Sequence, residues 1–360
     1  MIEPPTLPPI RLTDIRNGGT ERYAIEAADR ARALRDDCLA IMPKLLRPAI
    51  PLLDGLARRW LMRSQSPYLH EITRIAAALG FPGVWLLNGS YQWGCTAIAR
   101  EENDLPWLAR TLDWPFRGLG RHVEVAHKQG PAGEFFSVTW PGYIGTLTAM
   151  APGRFAASIN QAPLWRRTSH PLLRPYDMAA NALNTWRLSH IPPDQLLRLV
   201  FENCGSFDEA RRKLETTPIA RPVIYMLVGT KNGERCVIER TEESFRTRMR
   251  DTVAANDWHE GEARWEARVG GMNILLLRRE EAARRSRARQ VSLAGFAGSF
   301  AGDSFAWIVP PVLNPCTRIG VEMCAASGEM RVVGYDVVEG HELPQQVTQV
   351  WTISEARVAA

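Results

Sequence analysis

The stretch GCTAIAREENDLPWLARTLDW, residues 94–114, marks where this chain changes its structural period. From Cys95 the period changes: CTAIARE and PWLARTLDW flank ENDL, a turn signal that predicts a two-stranded hairpin. Cys95 heads the first strand, directly after Gly94. A free cysteine is most often a small buried apolar residue. What the rest of the chain can bring to this one decides whether it does chemistry.

Upstream, residues 20–92 read as helical. TERYAIEAADRARALRDDCLAIM, with Thr20 as cap, carries Ile25, Ala28, Ala31, Leu34 and Cys38 at helical spacing. PKLLRPAIPLLDGLARRWLMRS is interrupted by prolines, and SPYLHEITRIAAALGFPGVWLL ends a helix at Gly80 and Pro82. Downstream, HVEVAHK, EFFSVTW, YIGTLTAM and RFAASIN form an antiparallel run. Residues 171–216 return to helix, with a capping box from Ser206 to Glu209. PVIYMLVGTKNGERCVIER predicts a hairpin on Asn232-Gly233, RREEAARRSRARQ (278–290) a helix, and two strands near 316–324 and 329–336 close the chain. Strands, helices, then strands again imply two sheets packed face to face with helices outside.

With 360 residues, 45% of them hydrophobic, the chain can bury a sizeable core. Its 44 basic and 39 acidic residues leave a dispersed charge of +5, which does not argue for nucleic acid. Six cysteines form no CxxC pair and no zinc spacing, so no metal is expected. The N-terminus, MIEPPTLPPIRLTDIRNGG, is polar and proline-rich, and no stretch approaches the ~18 apolar residues of a membrane span. A cytoplasmic setting is expected.

A cysteine that attacks an amide needs a base, donors for the oxyanion and anchoring groups. Seven histidines are present, none in a cysteine–histidine protease context. Cleavage of the Gly94–Cys95 bond offers another base, the freed α-amine, with a reference pKa of roughly 7.7–8.0. Arg110 and Asp113 follow on the paired strand, and Asn160 and Gln161 on a later one. At i and i+3 on a strand, Arg110 and Asp113 point to opposite faces unless a turn or bulge at TLDW brings them together.

CTAIAREENDLPWLARTLDWPF resembles the cysteine N-terminal nucleophile hydrolases of the acid ceramidase and N-acylethanolamine acid amidase group, with bile salt hydrolases more distant. GYIGTLTAMAPGRFAASINQ, NDWH and PPVLNPCTRIGVEM look like further motifs of that group in the right order. YLHEITRIAAALGFPGVWLLNGSYQWGC looks like the helical piece that those enzymes cut away. The resemblance spans nearly the whole chain.

The resemblance implies an α+β fold, a four-layer αββα sandwich of two antiparallel sheets, behind a mostly helical segment 1–94. Residues 95–360 would be the catalytic domain, and after the cut segment 1–94 would be released or retained, the two fragments then forming a heterodimer. Cys95 would be the nucleophile, Asp113 would orient its α-ammonium, and Arg110 would hold the cysteine or the scissile amide in place and favour thiolate. Asn256 would donate to the oxyanion, with Tyr143, Gly145, Asn160, Gln161 and Trp258 as substrate or oxyanion support. Gln161 stands where the amide-hydrolase relatives commonly have glutamate, and it cannot act as an anion. Gly94 replaces a bulkier residue.

The implied reaction is hydrolysis of a linear C–N bond in an N-acyl, fatty-acyl amide through a thioester, without cofactor. Transfer of the acyl group to an amine, or an uncleaved relative that only binds acylated ligands, are the alternatives. Residues 44–63, with Leu45, Leu46, Ile50, Leu53, Leu56 and Leu61 beside Lys44, Arg47, Arg58, Arg59 and Arg63, suit either a membrane surface or packing on the core. The arginines at 284–289 read as one solvated helix face.

Overall fold

The structure, a computed structural model, describes residues 6–89, 93–250, 252–262, 264–268 and 279–353. Residues 90–92 of the upstream helical reading and residue 278 of the arginine-rich stretch lie outside them. In chain order the elements begin with β1 (Arg11–Asp14), α1 (Gly19–Glu26), α2 (Ala28–Ala40), a 3-10 turn (Lys44–Ala49), α3 (Ile50–Leu61), α4 (Leu69–Leu79) and α5 (Val84–Gly89). There follow β2 (Gly94–Glu102), β3 (Leu105–Asp113), β4 (Glu124–Gly130), β5 (Gly133–Thr139), β6 (Thr148–Ala151), β7 (Phe155–Gln161) and β8 (Leu164–Trp165). Helices α6 (Arg174–Arg187), α7 (Pro193–Asn203) and α8 (Phe207–Thr216) precede β9 (Val223–Val228), β10 (Arg235–Arg240), β11 (Phe245–Arg248), β12 (Val253–Ala254) and β13 (Trp265–Glu266). The last are α9 (Arg279–Ala294), β14 (Thr317–Cys324), β15 (Glu329–Asp336), β16 (Gln345–Gln346) and β17 (Trp351–Ile353).

Two sheets make the core. One has eight strands in the order β1-β4-β5-β6-β7-β9-β10-β11; the other has seven, β12-β2-β3-β14-β15-β16 with β17 beside β15. Strands β2 and β3 lie over β7 and β9 of the facing sheet. Helices α7 and α8 cover the outer face of the first sheet, and α9 covers β2 and β12 of the second. This is the expected αββα order. Sheets enclosed on both faces need strands that are apolar throughout, and VIYMLV in β9 is buried along its whole length.

The deciding hairpin forms as its turn chemistry requires. Asn103 and Asp104 both take left-handed backbone (φ 52° and 62°), the type I′ geometry whose twist matches the strands. Ser206 caps α8 by accepting from the Glu209 N–H at 3.3 Å, while the Glu209 carboxylate reaches past it to the Gly205 N–H at 2.8 Å.

Three expectations are corrected. The first sheet is not wholly antiparallel: β1, inside the proline-rich N-terminus, pairs parallel with β4, Arg11 opposite Glu124. Four residues just after Pro8 and Pro9 are too short for a periodic signal, and their partner is remote in sequence. Thr20 does not cap α1; Gly18 occupies the cap in left-handed backbone, and the Thr20 hydroxyl bonds Glu71. The leucines of 44–63 do not form the packed face of a core helix. Ile50 and Leu61 are buried, but Leu45 is 92% exposed and Leu46, Leu52, Leu53, Leu56 and Met62 face solvent as well.

The N-terminal helices are fastened to the sandwich through Arg198 on α7. Its guanidinium donates to both Glu71 oxygens on α4 at 2.9 and 2.8 Å and to Glu202 at 2.7 Å, and it lies 3.9 Å from the centre of the Tyr68 ring. Tyr68 in turn donates to Glu202 at 2.5 Å. Lys128 of β4 is buried in the same cluster, and its Nζ has no hydrogen-bond partner among the described residues. Burial, and then the nearby Arg198 charge, bring the Lys128 ammonium down to about 7, against the opposing pull of Glu71 and Glu202.

Candidate active site

Strand register sets out the site. Cys95 pairs with Leu112, Ala97 with Arg110 and Gly94 with Asp113, without irregularity along β2 and β3. Arg110 is therefore a diagonal neighbour of Cys95 on one face, while Asp113 faces the other way. The bulge lies instead in β14, between Thr317 and Ile319, opposite Asp113 and Leu112. No turn at TLDW brings Arg110 and Asp113 together.

On the inner face, Arg110 donates to the Cys95 Sγ at 3.0 Å, to the Ile159 carbonyl at 3.0 Å and to the Thr148 hydroxyl at 2.8 Å. The Cys95 thiol points to the same Ile159 carbonyl at 3.5 Å and accepts from the Gln161 N–H. Both Cys95 and Arg110 are fully buried. Burial pushes the thiol up to about 11, and Arg110 only partly offsets it. Arg110 pulls the thiol towards thiolate, but in the closed, uncut chain burial outweighs that attraction and holds the thiol well above its ordinary range.

On the outer face, Asp113 accepts from Arg289 of α9 at 2.9 Å and from the Thr317 hydroxyl at 3.0 Å. Arg289 also donates to the Asn256 Oδ1 at 3.0 Å, and that same oxygen accepts the Cys95 backbone N–H at 2.8 Å. The Asn256 Nδ2, expected to face an oxyanion, places one N–H on the Gln161 carbonyl at 2.9 Å. Asn256 thus joins the two faces, and it is itself held by the Ser286 hydroxyl at 3.2 Å on its backbone N–H.

The remaining expected residues divide. Gln161 takes part through its backbone, so the exchange of glutamate for glutamine leaves both contacts intact. Asn160 donates to the Ala254 and Ala255 carbonyls at 3.2 Å each and so fixes the segment that carries Asn256, without touching Cys95. Tyr143 and Gly145 lie in the loop before β6, not on a strand. The Tyr143 hydroxyl donates to Asp194 of α7 at 2.8 Å, and a Cβ at Gly145 would collide with that carboxylate. Their residue types serve the loop–helix junction. Trp258 packs edge-on against Trp265, ring centres 5.3 Å apart, and is not brought to Cys95.

Arg289 was not expected here, since the stretch 284–289 read as solvated. Arg284, Arg285 and Arg287 are indeed exposed. The buried face of α9 is Ala282, Ser286, Arg289, Gln290 and Leu293. That i, i+4, i+7, i+8, i+11 series was the available signal: an arginine within a small and apolar stripe.

Beside the site, Trp93 packs on Trp114 with ring centres 5.2 Å apart. Trp114, next after Asp113, lines an apolar cavity of about 330 Å³ with Leu34, Leu53, Leu79, Phe81 and Leu119, between the N-terminal helices and the sandwich. That volume lies at the lower end of the roughly 300–1,000 Å³ of small-molecule sites.

No family model matches the chain. It is similar to the N-acylethanolamine-hydrolyzing acid amidase of Oryctolagus cuniculus, 27% identical over 166 residues that cover 44% of this chain and 42% of that protein. It is also similar to a probable acid ceramidase of Caenorhabditis elegans (27% over 214 residues, 54% and 52% covered) and to the acid ceramidase of Bos taurus (31% over 214 residues, 53% and 51%). The chain spans about half the length of the curated relatives it matches. A solved structure of a Caenorhabditis elegans N-acylethanolamine-hydrolyzing acid amidase ortholog aligns with TM-score 0.47 at 16% identity, covering 64% of this chain and 93% of that one.

Proposed function

We propose that this chain, a relative of the acid ceramidases and N-acylethanolamine-hydrolyzing acid amidases, cuts itself between Gly94 and Cys95 and then hydrolyses the C–N bond of a fatty N-acyl amide. The observation that carries this reading is what surrounds Cys95. Its sulfur meets a guanidinium, a carbonyl and a backbone N–H, its nitrogen is held by Asn256, and among the described residues no histidine, lysine or carboxylate side chain contacts the sulfur. A nucleophile in that position has no base until its own amine is released.

In the first reaction the sulfur attacks the Gly94 carbonyl carbon, the Gly94–Cys95 C–N bond breaks, and the acyl group passes to sulfur as the nitrogen takes the thiol proton. Water then hydrolyses the thioester, leaving a carboxylate on Gly94 and a free amine on Cys95. In the second reaction that amine takes the thiol proton, sulfur attacks the substrate carbonyl, and the resulting ammonium protonates the leaving amine before the amine activates water. Asn256 would keep the nitrogen of Cys95 in place throughout, and its free N–H would serve the oxyanion.

Three further features support the reading. Strand β1 and the Arg198 cluster would keep residues 1–94 attached to 95–360 after the cut. The apolar cavity at Trp114 offers room for an acyl chain. The exposed leucines around α3, interleaved with exposed Lys44, Arg47, Arg58, Arg59 and Arg63, suit contact with a lipid surface from which such a substrate would come. No helix among the described residues is long and apolar enough to cross a membrane.

The test is intact mass and a denaturing gel on wild type beside Cys95→Ala. Fragments of about 10 and 30 kDa beginning at Met1 and Cys95, absent from the variant, are expected. A wild-type chain that stays whole across acidic and neutral pH would remove the free amine and this mechanism with it. Release of amine from acyl amides, with and without an added acceptor amine, then separates hydrolysis from acyl transfer.

A further inference from the structure

Away from Cys95, a second cavity of about 340 Å³ opens at the ribbon formed by β8 and β13. Its wall contains four arginines, Arg166, Arg167, Arg264 and Arg279, with Thr168 and Ser169 beside them, and no carboxylate.

The loop that presents these groups is built rigidly. Asp177 of α6 accepts the backbone N–H groups of Arg167 and Thr168 at 2.7 and 3.2 Å, the Thr168 hydroxyl at 2.6 Å and the Arg166 Nε at 2.8 Å. The Arg166 N–H donates to the Arg264 carbonyl at 2.6 Å, tying the two sides of the cavity together. Arg166 itself is buried and neutralised, bridging Asp177 and Glu266.

The other charges are not neutralised in this way. Arg167 and Arg264 are exposed, and among the described residues neither guanidinium has a carboxylate partner. Arg279 places one N–H on the Glu262 carbonyl at 2.9 Å and is attracted by Asp257. Further in, burial, with Arg221 next, lowers the neighbouring Arg268 to about 10 although Glu266 pulls the other way. Like charges gathered on a preorganised loop repel one another until an anion joins them.

We propose that this cavity binds a phosphate-type oxyanion, carried either by a free phosphate ester or by the headgroup of an anionic lipid. Planar guanidinium groups converging from two sides match the tetrahedral oxygens of phosphate through paired N–H donors, and the Ser169 hydroxyl adds a further donor. The indole of Trp165, edge-on to Trp265 at 5.0 Å between ring centres, closes one wall.

Calorimetric titration of inorganic phosphate into the full-length protein, wild type beside the double variant Arg167→Ser/Arg264→Ser, tests this. Both side chains are exposed, so the variant is expected to unfold at the wild-type temperature. Its phosphate affinity should fall at least about tenfold. Sedimentation with phosphatidylcholine vesicles, with and without phosphatidylglycerol, separates the sources, using Arg58→Ser/Arg59→Ser as a control for α3. Loss of phosphatidylglycerol-dependent binding in the cavity variant assigns a lipid headgroup; loss of phosphate binding alone assigns a free phosphate ester. Equal phosphate and vesicle binding by wild type and cavity variant, or no phosphate binding by wild type with vesicle binding lost only in the α3 variant, overturns the proposal.

Discussion

Around Arg198, two carboxylates and a tyrosine ring close on one guanidinium; around Cys95, one guanidinium, an asparagine and two backbone groups converge on one residue that has no acid–base partner of its own. Both clusters are buried, and both bridge elements distant in sequence. In the first, each nitrogen of the Arg198 guanidinium donates to an acceptor, so it behaves as a fastener between α4 and α7. The second keeps its central thiol protonated through a pKa raised by burial, which is how a reactive group is held idle until another is supplied. Burial of charge alone does not distinguish structure from chemistry.

Three experiments would break or sharpen that contrast. The largest effect is expected from Arg198→Met, which leaves the half-buried Glu71 and Glu202 carboxylates without the buried guanidinium that joins them. Chemical unfolding should show a loss of roughly 3–5 kcal/mol, with self-cleavage unchanged where the variant is folded. Impaired cleavage at full stability would make Arg198 part of the chemistry.

Next, Arg289→Met removes the partner of Asp113 and one donor to Asn256. A gel time course should show self-cleavage slowed by about 10²–10³-fold, the range for losing one preorganised donor near a developing charge. Wild-type cleavage would demote Arg289 to a second fastener.

The smallest effect concerns Lys128, whose ammonium is lowered from 10.5 to about 7 by burial. Between those values the unfolded chain binds more protons than the folded one, so this residue makes wild-type stability rise with pH across that window. Lys128→Met should therefore be stabilised by an amount on the order of 2 kcal/mol that is full below about pH 7 and gone by about pH 10.5. Destabilisation at neutral pH would mean that Glu71 and Glu202 need the lysine charge.

Much of this was legible from local signals. The turn at Asn103-Asp104, the Ser206 cap and the Asn232-Gly233 hairpin depend on a few neighbouring residues, and each formed where its sequence placed it. Arg110, Asp113 and Asn256 also proved to belong to one buried network with Cys95. Tyr143, Gly145 and Trp258 did not, because what they touch, Asp194 and Trp265, lies on other elements and leaves no mark in the motif itself. Strand β1 was missed for the same reason: four residues carry too little period, and only β4 gives them a partner.

The sequence by itself determined the change from helix to strand at Cys95, the two-sheet architecture and the polar residues worth watching, because period and turn chemistry act over a few residues. Tertiary structure alone decided that Arg110 meets the sulfur of Cys95 and Asp113 meets Arg289, that Asn256 turns its oxygen to the nitrogen of Cys95, and that one arginine of a solvated-looking run faces inward. Those outcomes depend on which strands and helices meet, and burial, which sets the state of the Cys95 thiol, exists only once they have met.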